Sequence, residues 1–125
     1  MIKLSDISDV LTCDVFNCKD KLQTIVDCGC ASDLMSDVLA FSQSGALLLT
    51  GLVNIQTIQT AYIAEIKAIV FVRGKKPDQN MISLAEDKKI PLLGTPYSMY
   101  EACGILYQKG LIPTMGIVSS NVFHG

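Results

Sequence analysis

An α/β fold, a small and mainly parallel sheet with flanking helices, is what this sequence predicts. Three short apolar runs carry the prediction: "ALLLT" at 46–50, "AIVFV" at 68–72 and "IPLLGT" at 90–95. Each is too short for a helix and too evenly apolar for a strand with one wet face. Each therefore reads as a strand buried on both sides. The stretches between them carry apolar residues at helical spacing, as right-handed crossovers between parallel strands require. A chain of 125 residues is expected to form one domain, with a core over 24–111 and a tail over 112–125.

The elements follow in order. Ser5 is placed to cap a first short helix, with Leu4 as its staple and Ile7, Val10 and Leu11 as its stripe. "CDVF" at 13–16 reads as a short strand, and the polar stretch 17–21 as a loop. "TIVDCGCA" at 24–31 leans to strand. "ASDLMSDVLAF" at 31–41 then begins a helix. Ser32 stands at its N-cap position and Asp33 in its first turn, where negative charge is favoured. Leu34, Met35, Val38, Leu39 and Phe41 form the stripe, and Ser44-Gly45 ends it. Asn54 caps the next helix, which carries Ile55, Ile58, Tyr62, Ile63 and Ile66. "RGKKPD" at 73–78 is a loop whose Asp78 caps a third helix with Met81, Ile82, Leu84 and Ala85 inward. Ser98 caps a last helix that runs to Lys109 and stops at Gly110. No pattern is legible from Met115 to Gly125.

Half of the residues are apolar and only 18% are charged, against about 25% in an average domain. The surplus points to surface covered by a second copy, a homodimer, or by a protein partner. Net charge is −2 and no lysine- or arginine-rich block occurs, which argues against a nucleic acid partner. The start, "MIKLSDISDV", is too polar for a secretory signal. The longest apolar stretch is broken by Gly51, Asn54, Gln56, Gln59, Glu65 and Lys67, so no membrane span is expected. The expectation is a cytoplasmic chain.

Five cysteines, an odd number, fit a reduced compartment. Cys13-x4-Cys18 and Cys28-x-Cys30 match structural zinc spacings poorly. On a strand, Cys28 and Cys30 share one face, and they read as packed thiols. The lone His124 reads as a solvated tail residue. No metal and no cofactor is assigned.

In a parallel sheet, ligands gather at the carboxyl ends of the strands. Ser32-Asp33, the 50–54 turn, the 73–77 loop and the 94–98 turn should all surface there. The candidate contacts are Ser32, Asp33, Thr50, Asn54, Arg73, Thr95 and Ser98. Arg73, Lys75 and Lys76 give the only modest positive cluster. A nucleotide, phosphate or carboxylate would suit helix amino ends beside such charges. The plainer alternative is a set of ordinary strand-to-helix turns. A further alternative takes Asp33 and Asp37, one turn apart on a helix, as a Mg²⁺-binding pair in a small hydrolase or phosphotransferase. No phosphate loop, G-x-G-x-x-G or G-x-S-x-G occurs, and no catalytic residue is assigned.

The segments "ASDLMSDVLAF", "LLLTGLVNIQTIQTAYIAEIKAIVFVRGKKPD" and "AEDKKIPLLGTPYSMYEACGILYQKGL" together resemble the DRTGG domain family over about 24–111. The resemblance implies a fold like the amino-terminal domain of HPr kinase/phosphorylase, and more distantly that of Mur ligases. It implies a regulatory or oligomerisation module, of the kind found beside CBS pairs in nucleotide-regulated pyrophosphatases. The catalytic kinase domain of the HPr enzyme has no counterpart here. Where the family's naming signature should stand, this chain reads "QTIVDCGC", which keeps Gly29 but has no arginine.

Overall fold

The computed structural model describes residues 1–114, so the patternless segment 115–125 and His124 lie outside the described residues. In chain order the elements are β1 (Ile2–Lys3), α1 (Leu4–Val10), β2 (Asp14–Val15), a 3-10 turn (Lys19–Lys21), β3 (Ile25–Val26), β4 (Cys28–Ala31), α2 (Met35–Phe41), β5 (Ala46–Thr50), α3 (Ile55–Ile63), β6 (Ala68–Phe71), α4 (Gln79–Asp87), β7 (Leu92–Gly94) and α5 (Met99–Gln108). Among the described residues, β1 and β3 pair as a small antiparallel ribbon, and five strands form a sheet in the order β2-β7-β6-β5-β4. β4, β5, β6 and β7 are parallel, with Leu48 between Cys30 and Ile69, and Val70 between Leu49 and Leu93. β2 closes the far edge antiparallel to β7. The α/β class and the mainly parallel sheet expected from the three apolar runs are both present.

Successive strand residues feed two separate cores. Ala46, Leu48, Ile69, Phe71 and Leu92 join Met35, Val38, Ile58, Ala61, Met81 and Ala85 on the face covered by α2, α3 and α4. Leu47, Leu49, Ala68, Val70 and Leu93 join Leu4, Ile7, Leu11, Ala102 and Leu106 on the face covered by α1 and α5. This alternation follows from the two-residue period of a strand. The three helices that join neighbouring parallel strands share one face, as crossovers of one hand require. The amino-terminal helix and β2 belong to the same body as the 24–111 core.

Several boundaries differ from the expected ones, each for a tertiary reason. α1 begins at Leu4 without a side-chain cap. The carbonyls of Thr24 and Leu22 accept the Leu4 and Ser5 N–H groups at 2.8 Å each, so Ser5 is not needed as a cap. The stretch 24–31 splits at Asp27, its first half pairing with β1 and its second with β5. The 17–21 stretch contains the 3-10 turn and a buried anchor, Asn17. Asn17 Oδ1 accepts the Leu92 N–H at 2.7 Å, and its Nδ2 donates to the Ile90 carbonyl at 3.3 Å. Beyond Leu111 the chain lies along the free edge of β4: Gly29 N–H donates to Ile112 O at 2.8 Å and Thr114 N–H to Gly29 O at 3.1 Å.

The caps on α3, α4 and α5 are those expected. Asn54, Asp78 and Ser98 accept from Thr57, Met81 and Glu101, and Ser98 with Glu101 completes a capping box. The helix ends share a different device. Thr12, Glu65, Lys89 and Gly110 follow α1, α3, α4 and α5 with φ of 53°, 58°, 59° and 95°. In each case the next N–H reaches back five residues, as from Ile90 to Ala85 and Leu111 to Leu106. Three of these left-handed positions carry a side chain, which strains them.

Two outcomes are expected. Lys89→Gly should raise unfolding free energy by about 0.5–1 kcal/mol, because relief of left-handed strain exceeds the added chain entropy; urea denaturation checks it. Asn17→Ala should lower it by about 2–3 kcal/mol, because the Leu92 N–H is left without a partner in the core. A change within experimental error at Asn17 would contradict the anchor role.

Candidate functional site

The carboxyl ends of β4, β5 and β6 deliver three polar groups to one point. Asp33 leaves β4, Thr50-Gly51 closes β5, and Lys75 follows β6. Asp33 Oδ1 accepts from Gly51 N–H at 2.6 Å and from Thr50 Oγ1 at 3.0 Å. Lys75 Nζ donates to the Gly51 carbonyl at 2.8 Å. A methyl placed on Gly51 would touch both Asp33 oxygens and Lys75 Nζ at 3.5 Å, which shows how closely the three surround that residue. Asp33 and Lys75 are both exposed.

Asp33 is not in the first turn of α2. The helix starts at Met35 with Leu34 as its N-cap residue and no side-chain cap. Ser32 Oγ instead accepts the Leu34 N–H at 3.0 Å, forming a turn that sends Asp33 toward β5. The helical pairing of Asp33 with Asp37 therefore does not form, because the donors at the end of β5 hold Asp33 outside the helix that carries Asp37. Among the described residues, no group of three His, Cys, Asp or Glu side chains is placed to hold a metal ion.

The other candidates share the edge but spend their side chains on the fold. Asn54 Oδ1 accepts from Thr57 at the head of α3. Ser98 Oγ accepts the Glu101 N–H at 3.2 Å. Thr95 is fully buried; its hydroxyl donates to the Leu11 carbonyl at 2.6 Å and accepts the Tyr97 N–H. Arg73 is exposed in the left-handed region, with φ 61°. Its N–H and that of Gly74 donate to Tyr97 O and Thr95 O at 2.8 Å each.

Those two bonds decide which part of the edge is accessible. The chain leaves β6 toward α4 on one face and leaves β7 toward α5 on the other. A crevice normally opens where neighbouring connections part in this way. Here the Arg73-Gly74 backbone straps it shut. Gly94 lets the strap lie close, since a Cβ there would meet Phe16 at 2.9 Å and the Lys75 carbonyl at 3.3 Å. The accessible part of the edge is thus the Asp33–Gly51–Lys75 group, with exposed Arg73 two residues before Lys75 in the chain. Lys75 is the member that the candidate contacts omitted, although the positive cluster contained it.

The thiols occupy less reactive ground. Cys28 is buried in the core under α2 and α3, and Cys30 packs against it, in keeping with a shared strand face. Cys30 and Cys103 also line an apolar cleft of about 230 Å³ with Gly29, Leu49, Leu106 and Tyr107. Burial pushes all three of these thiols up from the usual range. Burial, with Asp14 adding to it, raises Cys13 to about 12. Burial and the Glu86 carboxylate, which accepts from Cys18 Sγ at 3.4 Å, raise Cys18 to about 11.

No protein-family model and no curated protein matches the chain. A solved structure does match: the CBS and DRTGG domains of the regulatory region of Clostridium perfringens pyrophosphatase, complexed with its activator diadenosine tetraphosphate. The superposition gives a TM-score of 0.72 at 15% sequence identity and covers 94% of this chain. It covers 51% of the other chain, so the present chain spans about half of that length. At this identity the likeness is one of fold, and it supports a DRTGG-like fold. Among the described residues, no helix is long and apolar enough to cross a membrane.

The raised thiols fix a pH dependence. Folding favours the protonated forms of Cys13 and Cys18, so their contribution is whole below the ordinary thiol value of 9.0 and is lost as pH climbs toward about 11 to 12. The urea midpoint should fall between about pH 8 and about pH 10.5, and fall less in Cys18→Ala. An identical drop in that variant would remove Cys18 from the account.

Proposed function

We propose that this chain is a non-catalytic regulatory module of the DRTGG type that self-associates and binds a small phosphorylated ligand, of which a nucleotide fits best. The observation that carries the reading is the meeting of Asp33, Gly51 and Lys75 at the carboxyl edge. Asp33 itself occupies the Gly51 and Thr50 donors that an isolated anion would seek, so a bare phosphate finds them taken. Asp33 Oδ1 takes both bonds, which leaves Oδ2 to accept from a hydroxyl. Lys75 uses one donor on Gly51, keeps two, and with Arg73 offers positive charge. A hydroxyl acceptor beside a phosphate-binding cation is the pairing that a ribose phosphate needs. The fold likeness to a regulatory region whose activator is a dinucleotide supports the same class.

Thermal-shift titration tests this with AMP, ATP, diadenosine tetraphosphate and inorganic phosphate as probes. At about 100-fold excess over Kd, a bound nucleotide stabilises by about 2.7 kcal/mol, a shift of several degrees for a domain of this size. Lys75→Met should abolish the shift without lowering the ligand-free melting temperature, and Asp33→Asn should weaken it. No shift with any nucleotide at millimolar concentration would overturn the ligand reading.

A further inference from the structure

Asp33 sits where a bound anion would. Its Oδ1 lies where the Gly51 N–H and the Thr50 hydroxyl converge, 2.6 and 3.0 Å away. The Lys75 ammonium holds the carbonyl of the same glycine at 2.8 Å. A backbone N–H and a hydroxyl meeting on one carboxylate oxygen, with an ammonium beside them, form a donor set suited to a phosphate oxygen. The chain sets aside a local preference to fill it. Ser32 and Asp33 have the pattern of a cap and a first-turn acid, yet α2 starts only at Met35 and leaves Leu34 58% exposed. A break of this kind between local signal and final fold is expected at functional sites.

Gly51 supplies a separate observation. It is not among the glycines with positive φ, and a Cβ on it would meet nothing closer than 3.5 Å. Neither backbone nor packing therefore demands glycine there. The place of that Cβ is in van der Waals contact with both Asp33 oxygens and with Lys75 Nζ, each at 3.5 Å. The glycine thus leaves open a carbon-sized space that touches a carboxylate and an ammonium at once.

We propose that Asp33 and Gly51 are the specificity determinants of this edge. Asp33 shuts an anion site made by Thr50, Gly51 and Lys75 against bare phosphate. The space over Gly51 admits a sugar carbon whose hydroxyl reaches Asp33 Oδ2 while the phosphate meets Lys75. The inference rests on the ribose phosphate reading above for its ligand; the shut anion site stands without it. A bare dianion has to displace a carboxylate or lie against it, and like charge opposes both. A phosphate ester that brings a hydroxyl turns the same carboxylate from an obstacle into an acceptor. Such a site discriminates against the analogue without the hydroxyl, because its polar group is then left unpaired.

Isothermal titration calorimetry of the full chain with inorganic phosphate, AMP and dideoxy-AMP is the test. The wild type should bind AMP at least about tenfold more tightly than either of the others. Asp33→Ala vacates the donors, so it should gain phosphate affinity at least about tenfold and lose the preference for AMP over dideoxy-AMP. Asp33→Ser, also too short to reach Gly51, should behave in the same way, and adding Lys75→Met should cancel the gain. Asp33→Asn should gain far less, since its amide oxygen still occupies Gly51 and Thr50; an equal gain would leave charge alone as the cause and overturn the occupied site. Folded Asp33→Ala and Asp33→Ser that take up no phosphate would also overturn it. Gly51→Ala should keep the wild-type circular dichroism and weaken AMP binding at least about tenfold. Undiminished AMP binding there would remove the seat over Gly51. Phosphate uptake by Asp33→Ala without nucleotide binding by the wild type would sink the ribose reading and leave the shut anion site standing.

Discussion

Everything in this molecule follows from a sheet that is apolar on both sides. Ala46, Leu47, Leu48 and Leu49, with Ala68, Ile69, Val70 and Phe71, are 2% exposed or less. Such strands cannot leave either face in water without losing about 25 cal/mol for each Å² uncovered. The crossover helices α2, α3 and α4 cover only one face, because a fixed crossover hand puts them there together. The other face must be covered by elements that do not join neighbouring parallel strands. α1 and α5 do this, and it explains why the first 22 residues, polar at the start, belong to the fold.

The same constraint shapes the carboxyl edge of the sheet. With the chain leaving β6 and β7 toward opposite faces, the carboxyl edge has a natural gap, and the protein closes it with backbone. Thr50 and Thr95 do parallel work on the two sides of the strap. Each accepts the N–H two residues on, from Leu52 and Tyr97, and each donates across the chain, to Asp33 and to Leu11. The two donations differ in consequence. That of Thr95 is sealed in the core. That of Thr50 holds an exposed carboxylate next to Lys75, and there the edge stays exposed.

Outward surface is treated unevenly. The polar sides of α1 and α4 are ordinary solvated faces. Leu39 and Phe41 on α2, Ile63 on α3, and Tyr100 and Tyr107 on α5 are all more than half exposed. The apolar surplus in the composition is therefore spent in two places, in a sheet with no wet face and on helix faces that a monomer leaves uncovered. Tyr62 is the exception among the exposed aromatics, since Lys88 lies 4.4 Å from its ring centroid and uses that surface.

By itself the sequence determined whatever depends on neighbours along the chain. The three apolar runs specified buried parallel strands. Asn54, Asp78 and Ser98 specified helix starts, because a cap needs only a side-chain oxygen and an N–H three residues on. Gly110 specified a helix end. Thr12, Glu65 and Lys89 end helices in the same left-handed conformation but were illegible, because no glycine marks them and packing holds them there. Asn17 looked like loop because its partners, Ile90 and Leu92, are more than 70 residues away in the chain. Ser32 and Asp33 looked like a cap and a first-turn acid, and local preference alone would have made them so. Only the tertiary structure, by bringing the free N–H of Gly51 and the hydroxyl of Thr50 within reach, drew Asp33 out of the helix and set it beside Lys75. Hydrogen-bond donors from a neighbouring strand outweighed a helix-end preference of less than 1 kcal/mol or so.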